Sequence, residues 1–425
     1  MGKYSFKFID LFAGIGGFHQ AMRFLGGECV MAAEIDPFCV ETYKENYEVK
    51  DIRGDVSKID PKTIPQFDVL CAGFPCQPFS KAGAQKGFAD PGRGNLFHSI
   101  MKILDDHIET KFVILENVRN LADKTENWEI IKTELMKRNF YITEDPFVLS
   151  PTHFGIPQLR ERVYILAVNK DFRNEEILTN GFIHKDDLLF KQRLKQRDEI
   201  KVGTAFDILE KNVSGSYRIS TEEEFVISAW KDFIYTIDKS TLARPIWISC
   251  FGNGIADDEE FFKKIQYEKM PDWKKNFVKR NRNMYLKNKV FIDNWIIENG
   301  MTDKNKIFQK FEWNCGNDDV KIEDTIIQIR QSGIRVKRAN YFPSLVAMVN
   351  TPIVWDKEKK YYRRITVREA ANLQNFNKRF KFIGSEKQTY KQLGNSVNVR
   401  VLKIIGDSLF RLGKWKENHE SKDKY

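Results

Sequence analysis

Phe8-Ile9-Asp10-Leu11-Phe12-Ala13-Gly14-Ile15-Gly16-Gly17-Phe18 is the stretch that decides the fold, because an apolar run enters a cluster of glycines and leaves as an amphipathic pattern reaching Leu25. That order predicts a short buried strand, a glycine turn and a helix. Glycines 14, 16 and 17 let the backbone approach a ligand closely and leave the helix N-terminus open to a carboxylate or another acceptor. The spacing is not the Gly-x-Gly-x-x-Gly of dinucleotide folds, which argues against NAD or FAD. Taken alone, the segment also fits a simple tight turn.

Working outward, Cys29-Val30-Met31-Ala32-Ala33 closes on Glu34, and Gly54-Asp55-Val56 follows. Both acids fall at strand ends, where an open α/β sheet places its ligand. Glu34 suits a ribose diol and Asp55 an adenine amino group. Either alone also reads as a solvated turn acid; in this order they suggest an adenosine-containing cofactor.

The apolar run Val69-Leu70-Cys71-Ala72 leads into Gly73-Phe74-Pro75-Cys76-Gln77-Pro78-Phe79-Ser80. Prolines on both sides of Cys76 fix φ near about −65° and donate no N–H, so the loop is pre-shaped. A cysteine held so at a strand's end reads as a nucleophile, although an isolated cysteine is more often a small buried hydrophobe. Phe112-Val113-Ile114-Leu115 then ends on Glu116-Asn117-Val118. In a dry cleft the carboxyl of Glu116 is pushed up, which suits a proton donor to a ring nitrogen; a surface acid ending a strand is the alternative. Gly155-Ile156-Pro157-Gln158-Leu159-Arg160-Glu161-Arg162 alternates before Val163-Tyr164-Ile165-Leu166. Strand periodicity puts Arg160 and Arg162 on one face, fit for a phosphate or a pyrimidine carbonyl, or for a solvated edge paired with Glu161.

This ordered set resembles the DNA (cytosine-5)-methyltransferase family, of the kind found in type II restriction-modification, over nearly the whole chain. The pieces that carry the resemblance are Asp10 to Gly17, Gly73-Phe74-Pro75-Cys76-Gln77, Glu116-Asn117-Val118 and Gln158-Leu159-Arg160-Glu161-Arg162. Arg364-Ile365-Thr366-Val367-Arg368-Glu369-Ala370 and Gln392-Leu393-Gly394-Asn395-Ser396-Val397 complete it. The resemblance implies that Cys76 adds to C6 of cytosine and that Glu116 assists at N3. Arg162 is implied to hold the O2 side of the ring and Arg160 a nearby phosphate. S-adenosylmethionine is the implied cofactor, held by Phe12, Gly14, Gly16, Gly17, Glu34, Asp55, Pro75, Asn395, Ser396 and Val397. The target base is implied to rotate out of the duplex.

The segment from Ser80 to Asn95, with Arg93 among its glycines and cations, reads as a lid over DNA, and Gln85 as a filler of the displaced base's space. After Asn169 the sequence becomes charged and irregular, and two basic runs stand out. Lys279-Arg280-Asn281-Arg282 and Arg335-Val336-Lys337-Arg338 mix cations with amides and aromatics, a composition that binds phosphates and reads major-groove edges, or that simply forms a solvated face. Sequence therefore predicts a doubly wound, mostly parallel α/β catalytic lobe over 1–185 plus 385–425, and an irregular α+β target-recognition lobe over 186–384.

The 425 residues suffice for a large core, and 69 Lys plus Arg against 59 Asp plus Glu suit a polyanionic partner, here double-stranded DNA. The six cysteines (29, 39, 71, 76, 250 and 315) form no Cys-x-x-Cys pair, so neither a metal nor a disulfide framework is expected. No signal peptide and no bilayer-spanning run are read, so a bacterial, DNA-associated cytoplasmic protein is expected. A monomer is expected, with a cognate restriction endonuclease in the same system but not necessarily in contact. Two rivals remain open: a tRNA cytosine-5 methyltransferase, and a DNA-binding protein built on a decayed enzyme.

Overall fold

The computed structural model describes residues 3–75, 95–175, 182–188, 201, 203–255, 257–317, 319–345 and 350–415. The chain divides into two compact units, one of residues 1–200, 343–349 and 367–425, the other of residues 201–342 and 350–366. The sequence placed the crossing at 186 and the return at 385. The second unit instead starts at 201, and the chain is back in the first by Val367.

The first unit opens with β1 (Phe6–Leu11), α1 (Gly17–Leu25), β2 (Gly27–Ala33), α2 (Pro37–Asn46), β3 (Ile52–Arg53) and β4 (Val69–Ala72). It continues with α3 (Asn95–Asp106), β5 (Phe112–Val118), α4 (Thr125–Lys137), β6 (Phe140–Ile142), β7 (Phe147–Leu149), the two-residue β8 (Gln158–Leu159) and β9 (Arg162–Asn169). The large sheet runs β3-β2-β1-β4-β5-β9-β6, with β7 also paired to β9. Strands β1 to β5 are mutually parallel where they pair, and β9 is antiparallel to β5, β6 and β7.

Every residue of β4 is buried, as are Phe112–Asn117 of β5. Parallel strands covered on both faces need such continuous apolar runs rather than alternation. The order of the strands reverses between β1 and β4, so a crevice opens beyond the carboxyl ends of these two neighbours. Local chemistry sets the helix ends. Pro37 starts α2 behind the Asp36 cap, which accepts from Phe38 N–H, and Gly26 closes α1 in the left-handed region.

The second unit contains α5 (Thr221–Thr236), β10 (Ile246–Trp247), α6 (Asp258–Lys264), α7 (Asp272–Lys287), α8 (Lys289–Asn299) and β11 (Lys310–Asn314). Strands β12 (Thr325–Arg330) and β13 (Gly333–Arg338) form a hairpin, and β14 (Phe342–Pro343) spans the boundary between the units. Strands β15 (Ile353–Asp356) and β16 (Tyr361–Arg364) complete a mixed sheet ordered β10-β11-β13-β12-β15-β16. Its core is aromatic: the Trp230 ring stacks on Phe311 at 4.8 Å and lies 4.8 Å from Trp295. Back in the first unit, α9 (Val367–Leu373), α10 (Glu386–Asn395) and α11 (Val399–Phe410) follow, and Phe410 of α11 packs on Phe6 of β1 at 4.9 Å.

Trp230 is fully buried and donates its indole N–H to Phe308 O at 2.9 Å. Trp230→Ala therefore loses apolar burial and leaves a cavity, and it is expected to cost about 3–5 kcal/mol, read from the midpoint of urea unfolding. A loss below about 1 kcal/mol contradicts this packing.

Candidate active site

The carboxyl end of β1 runs into a turn that its own sequence makes unusual. Phe12, at φ 56°, occupies the left-handed region where a side chain other than glycine is strained, and Gly14 (φ 55°) and Gly16 (φ 84°) follow it there. Gly16 caps α1 without a side chain, and in the first turn the His19 N–H turns back to the Asp10 carboxyl. Tyr47 Oη–H donates to Gly16 O at 2.9 Å and holds the turn from behind. Below it, Asp10 is fully buried; burial first of all pushes its carboxyl well above the usual range, although it faces the Tyr43 hydroxyl at 3.5 Å.

Glu34, one residue past β2, accepts from Gly14 N–H (2.8 Å) on Oε2 and from Ile35 and Asp36 N–H (2.9 and 2.8 Å) on Oε1. A carboxylate fixed by backbone donors beside a glycine turn is oriented before any ligand arrives, and Oε2 keeps acceptor capacity for a hydroxyl. Asp55 is held below the ordinary carboxyl range by hydrogen bonds from the Ser57 hydroxyl (2.7 Å) and N–H (3.0 Å). The two acids stand at adjacent strand ends, since Glu34 N–H donates to Arg53 O at 2.9 Å.

Three strand ends and one helix junction meet beside the turn. A Cβ placed on Gly17 would lie 2.6 Å from Val397 Cγ2, and one on Gly73 would lie 3.6 Å from Val397 Cγ1 and 4.0 Å from Glu116 Oε2. Val397 thus occupies space that only a glycine at 17 leaves. Asn117 donates to Phe74 O at 3.2 Å, fixing the chain just before Pro75. Cys76, Ser80, Gln85 and Arg93 lie outside the described residues. Pro75 is half-buried, Ser396 is buried, and Asn395, the last residue of α10, is exposed.

Glu116 is 7 % exposed; burial raises its carboxyl above the ordinary value against the opposing pull of Arg162 and then Arg160. Arg162 Nε approaches Glu116 Oε1 to 3.1 Å, yet Oε1 gains no aligned hydrogen bond. Desolvation therefore outweighs an imperfect ion pair.

The two arginines do not share a strand face. Strand β9 begins at Arg162, and Arg160 before it turns inward: Nη1 donates to Leu345 O (3.0 Å) and Ser344 Oγ (3.3 Å), and Nη2 to Ser396 O (2.7 Å). At 3 % exposure the Arg160 guanidinium clamps protein carbonyls, which corrects its reading as a phosphate ligand. The recognition-lobe candidates fall in several environments. Arg282 is fully buried, Arg335 pairs with Glu312 at 2.8 Å, and Arg338 donates twice to Cys315 O, whereas Lys279 and Arg280 are exposed and Lys337 lies 3.8 Å from the Tyr341 ring centroid. Sequence reasoning gave no role to Asn117 or Tyr47. Asn117 is a polar residue ending a buried strand, a visible signal, whereas nothing local marks Tyr47.

Because Arg160 satisfies buried carbonyls and Arg162 does not, Arg160→Lys is expected to lower stability by about 2–4 kcal/mol, and Arg162→Lys by less than about 1 kcal/mol, in urea unfolding. Equal losses contradict the clamp.

No group of His, Cys, Asp and Glu among the described residues is arranged to hold a metal, and no helix among them is long and apolar enough to cross a membrane. The sequence profile of the family described as C-5 cytosine-specific DNA methylase matches residues 6–411. The chain is 32% identical to the type II methyltransferase M.AluI of Cellulosimicrobium cellulans, over 95% of this chain and 91% of that one. It is 31% identical to the type II methyltransferase M.BanI of Aneurinibacillus aneurinilyticus, over 95% and 96%. A solved putative DNA modification methyltransferase encoded within a prophage of E. coli superposes with a TM-score of 0.52 at 19% identity, covering 96% of this chain and 99% of that one, and supports the fold. With the profile matched across almost its whole length, the chain belongs to the C-5 cytosine-specific DNA methylase family.

Proposed function

We propose that this protein transfers a methyl group from S-adenosylmethionine to C5 of a cytosine within a short recognition sequence of duplex DNA, as the modification partner of a restriction endonuclease. The observation that carries the reading is the convergence of Gly17, Gly73, Glu116 and Ser396-Val397 at the carboxyl ends of β1, β4 and β5, beside a turn whose acids are already oriented.

The donor set fits S-adenosylmethionine. Open space lies beside Gly14, the α1 N–H groups suit the amino-acid carboxylate, Glu34 suits the ribose hydroxyls, Asp55 the adenine amino group, and strained Phe12 offers a half-exposed ring. When bound, the cofactor supplies an electrophilic methyl group. The protein's own residues do the rest. C5 of cytosine is a weak nucleophile until a thiolate adds to C6, and Cys76, next after Pro75, is the cysteine that the chain delivers beyond β4. As the S–C6 bond forms, electron density moves toward N3, where Glu116 in its acid form donates a proton. The resulting enamine has a nucleophilic C5. After methyl transfer a base takes the C5 proton, the electron pair of that C–H bond expels the thiolate, and N3 returns its proton to Glu116, restoring the neutral aromatic ring. Arg162, whose Nε lies 3.1 Å from Glu116 Oε1, would hold the O2 edge. The thiolate and the methyl donor must approach the faces of the ring, which stacked neighbours cover, so the base has to leave the helix stack.

Cys76→Ala is expected to abolish turnover and the covalent adduct with a duplex carrying 5-fluorocytosine, which lacks a removable C5 proton, while S-adenosylmethionine binding persists. Residual methylation above about one part in a thousand contradicts the covalent role. Glu116→Gln should slow turnover about 10²–10⁴-fold. The sign of the pH effect follows from its buried carboxyl: the acid form is present below the raised pKa, so kcat/KM falls as pH rises through it, and the Gln variant loses that limb. Transfer to tRNA alone, with none to duplex DNA, contradicts the substrate.

A further inference from the structure

Arg282 gives the second unit a feature that the proposed chemistry does not use. This α7 side chain is 0 % exposed. Its Nε–H donates to Asp258 Oδ1 at 2.7 Å, Nη1 donates to Phe251 O and Gly252 O at 2.8 and 3.1 Å, and Nη2 donates to Ile255 O at 2.8 Å. The rings of Phe261 and Tyr285 flank the guanidinium at 4.8 and 5.5 Å. One cation thus gathers three carbonyls of a single short loop.

The loop is a tight turn, closed by Ile255 N–H donating to Gly252 O at 3.0 Å. Gly252 and Gly254 have φ of 65° and 81°, and a Cβ on Gly252 would meet Phe261 at 2.4 Å and Arg282 Nη1 at 3.0 Å. Asn253 sits exposed at the tip, and its carboxamide has no hydrogen-bond partner among the described residues. Burying a guanidinium is expensive, and stability alone is served as well by apolar packing. What this arrangement secures is a single backbone conformation presenting one free amide, the preorganisation a base reader requires.

The surroundings carry charge of both signs: Asp257, Asp258, Glu259 and Glu260 are exposed where α6 begins, and lysines stand on α7 and β11. Lys274 and Lys310 lie 6.0 and 5.2 Å from the Trp247 ring, and Lys275 and Lys279 each 5.5 Å from the Tyr267 ring. Lys275 pairs with Glu268 at 3.3 Å and Lys310 with Glu312 at 3.9 Å. Trp247, Tyr267, Phe261 and Ile255 share one apolar cluster beneath the loop. Lysines are point charges for phosphates, and an Asn carboxamide pairs with both N6 and N7 of adenine in the major groove.

We propose that Asn253 reads an adenine edge in the target sequence, that Arg282 is the positioning residue that fixes the reading loop, and that Lys279 on the adjoining helix face contacts backbone phosphate. This rests on the reading of the protein as a DNA methyltransferase.

The test is bisulfite sequencing of a plasmid library with randomised sequence around cytosine, after incubation with S-adenosylmethionine and the wild-type protein, Asn253→Ala, Arg282→Lys, Asp258→Ala or Lys279→Ala. Asn253→Ala should lower kcat/KM on the preferred sequence about 10–100-fold and erase discrimination at one A·T pair, leaving other positions and cofactor binding unchanged. Arg282→Lys should relax that same pair; if it fails to fold, Asp258→Ala, on the exposed side of the clamp, should do so. Lys279→Ala should weaken all sequences alike and reduce the salt dependence by about one phosphate contact. An unchanged preference in Asn253→Ala, or relaxation at a different pair in the clamp variants, overturns the proposal while methylation itself stands. No methylation by the wild-type protein overturns the enzyme reading instead.

Discussion

The contact between Gly17 and Val397 is the constraint on which the first unit depends. Gly17 is the first residue of α1, and Val397 lies between α10 and α11, near the other end of the chain. A methyl group at position 17 would sit 2.6 Å from Val397 Cγ2 and 3.1 Å from Val397 O, closer than packed atoms allow. The unit is discontinuous, so its last segment reaches the ends of β1 and β4 only after the chain has passed through the second unit. Arg160 makes that closure specific. By donating to Ser396 O and Leu345 O, it ties two returning segments to the entrance of β9 with charge-assisted hydrogen bonds.

Around this closure the electrostatics separate two kinds of acid. Glu34 accepts three backbone hydrogen bonds and stands ready as an acceptor, whereas Glu116 lies in a drier place where burial favours its neutral form. The same residue type is therefore fixed by backbone donors at the end of β2 and biased toward its acid form by burial at the end of β5. Arg160 and Arg162 are split likewise. One is consumed by the fold, and the other stays beside Glu116, partly exposed and imperfectly aligned, with Nη1 donating to Glu161 O at 2.8 Å. Such incomplete satisfaction is costly in a core and useful in a site.

The parts legible in the sequence are those whose meaning is local. A strand, a turn with glycines at fixed offsets, and a polar residue ending an apolar run all follow from neighbours in the chain, and β1, the Gly14–Gly17 turn, Glu34, Asp55 and Glu116 were read that way. The destinations of long cationic side chains were not legible. Arg160 reads as a strand-face ligand and Arg282 and Arg338 as cations in basic runs, yet each turns inward to backbone carbonyls supplied by segments distant in sequence. An arginine stem reaches far enough that only tertiary structure decides whether its head meets solvent or protein. Helix α9 groups with the first unit, whereas a return at 385 leaves it in the second; α10 falls in the first unit on either boundary.

The central claim is chemical: that this fold methylates C5 of cytosine in duplex DNA. Its most direct test is mass spectrometry of nucleosides from unmethylated duplex DNA incubated with the purified protein and S-adenosylmethionine carrying a trideuterated methyl group. The account predicts 5-methylcytosine as the labelled nucleoside, in an amount that saturates when a fixed fraction of cytosines is consumed. Label on adenine, on the exocyclic nitrogen of cytosine, or on no base at all would contradict it.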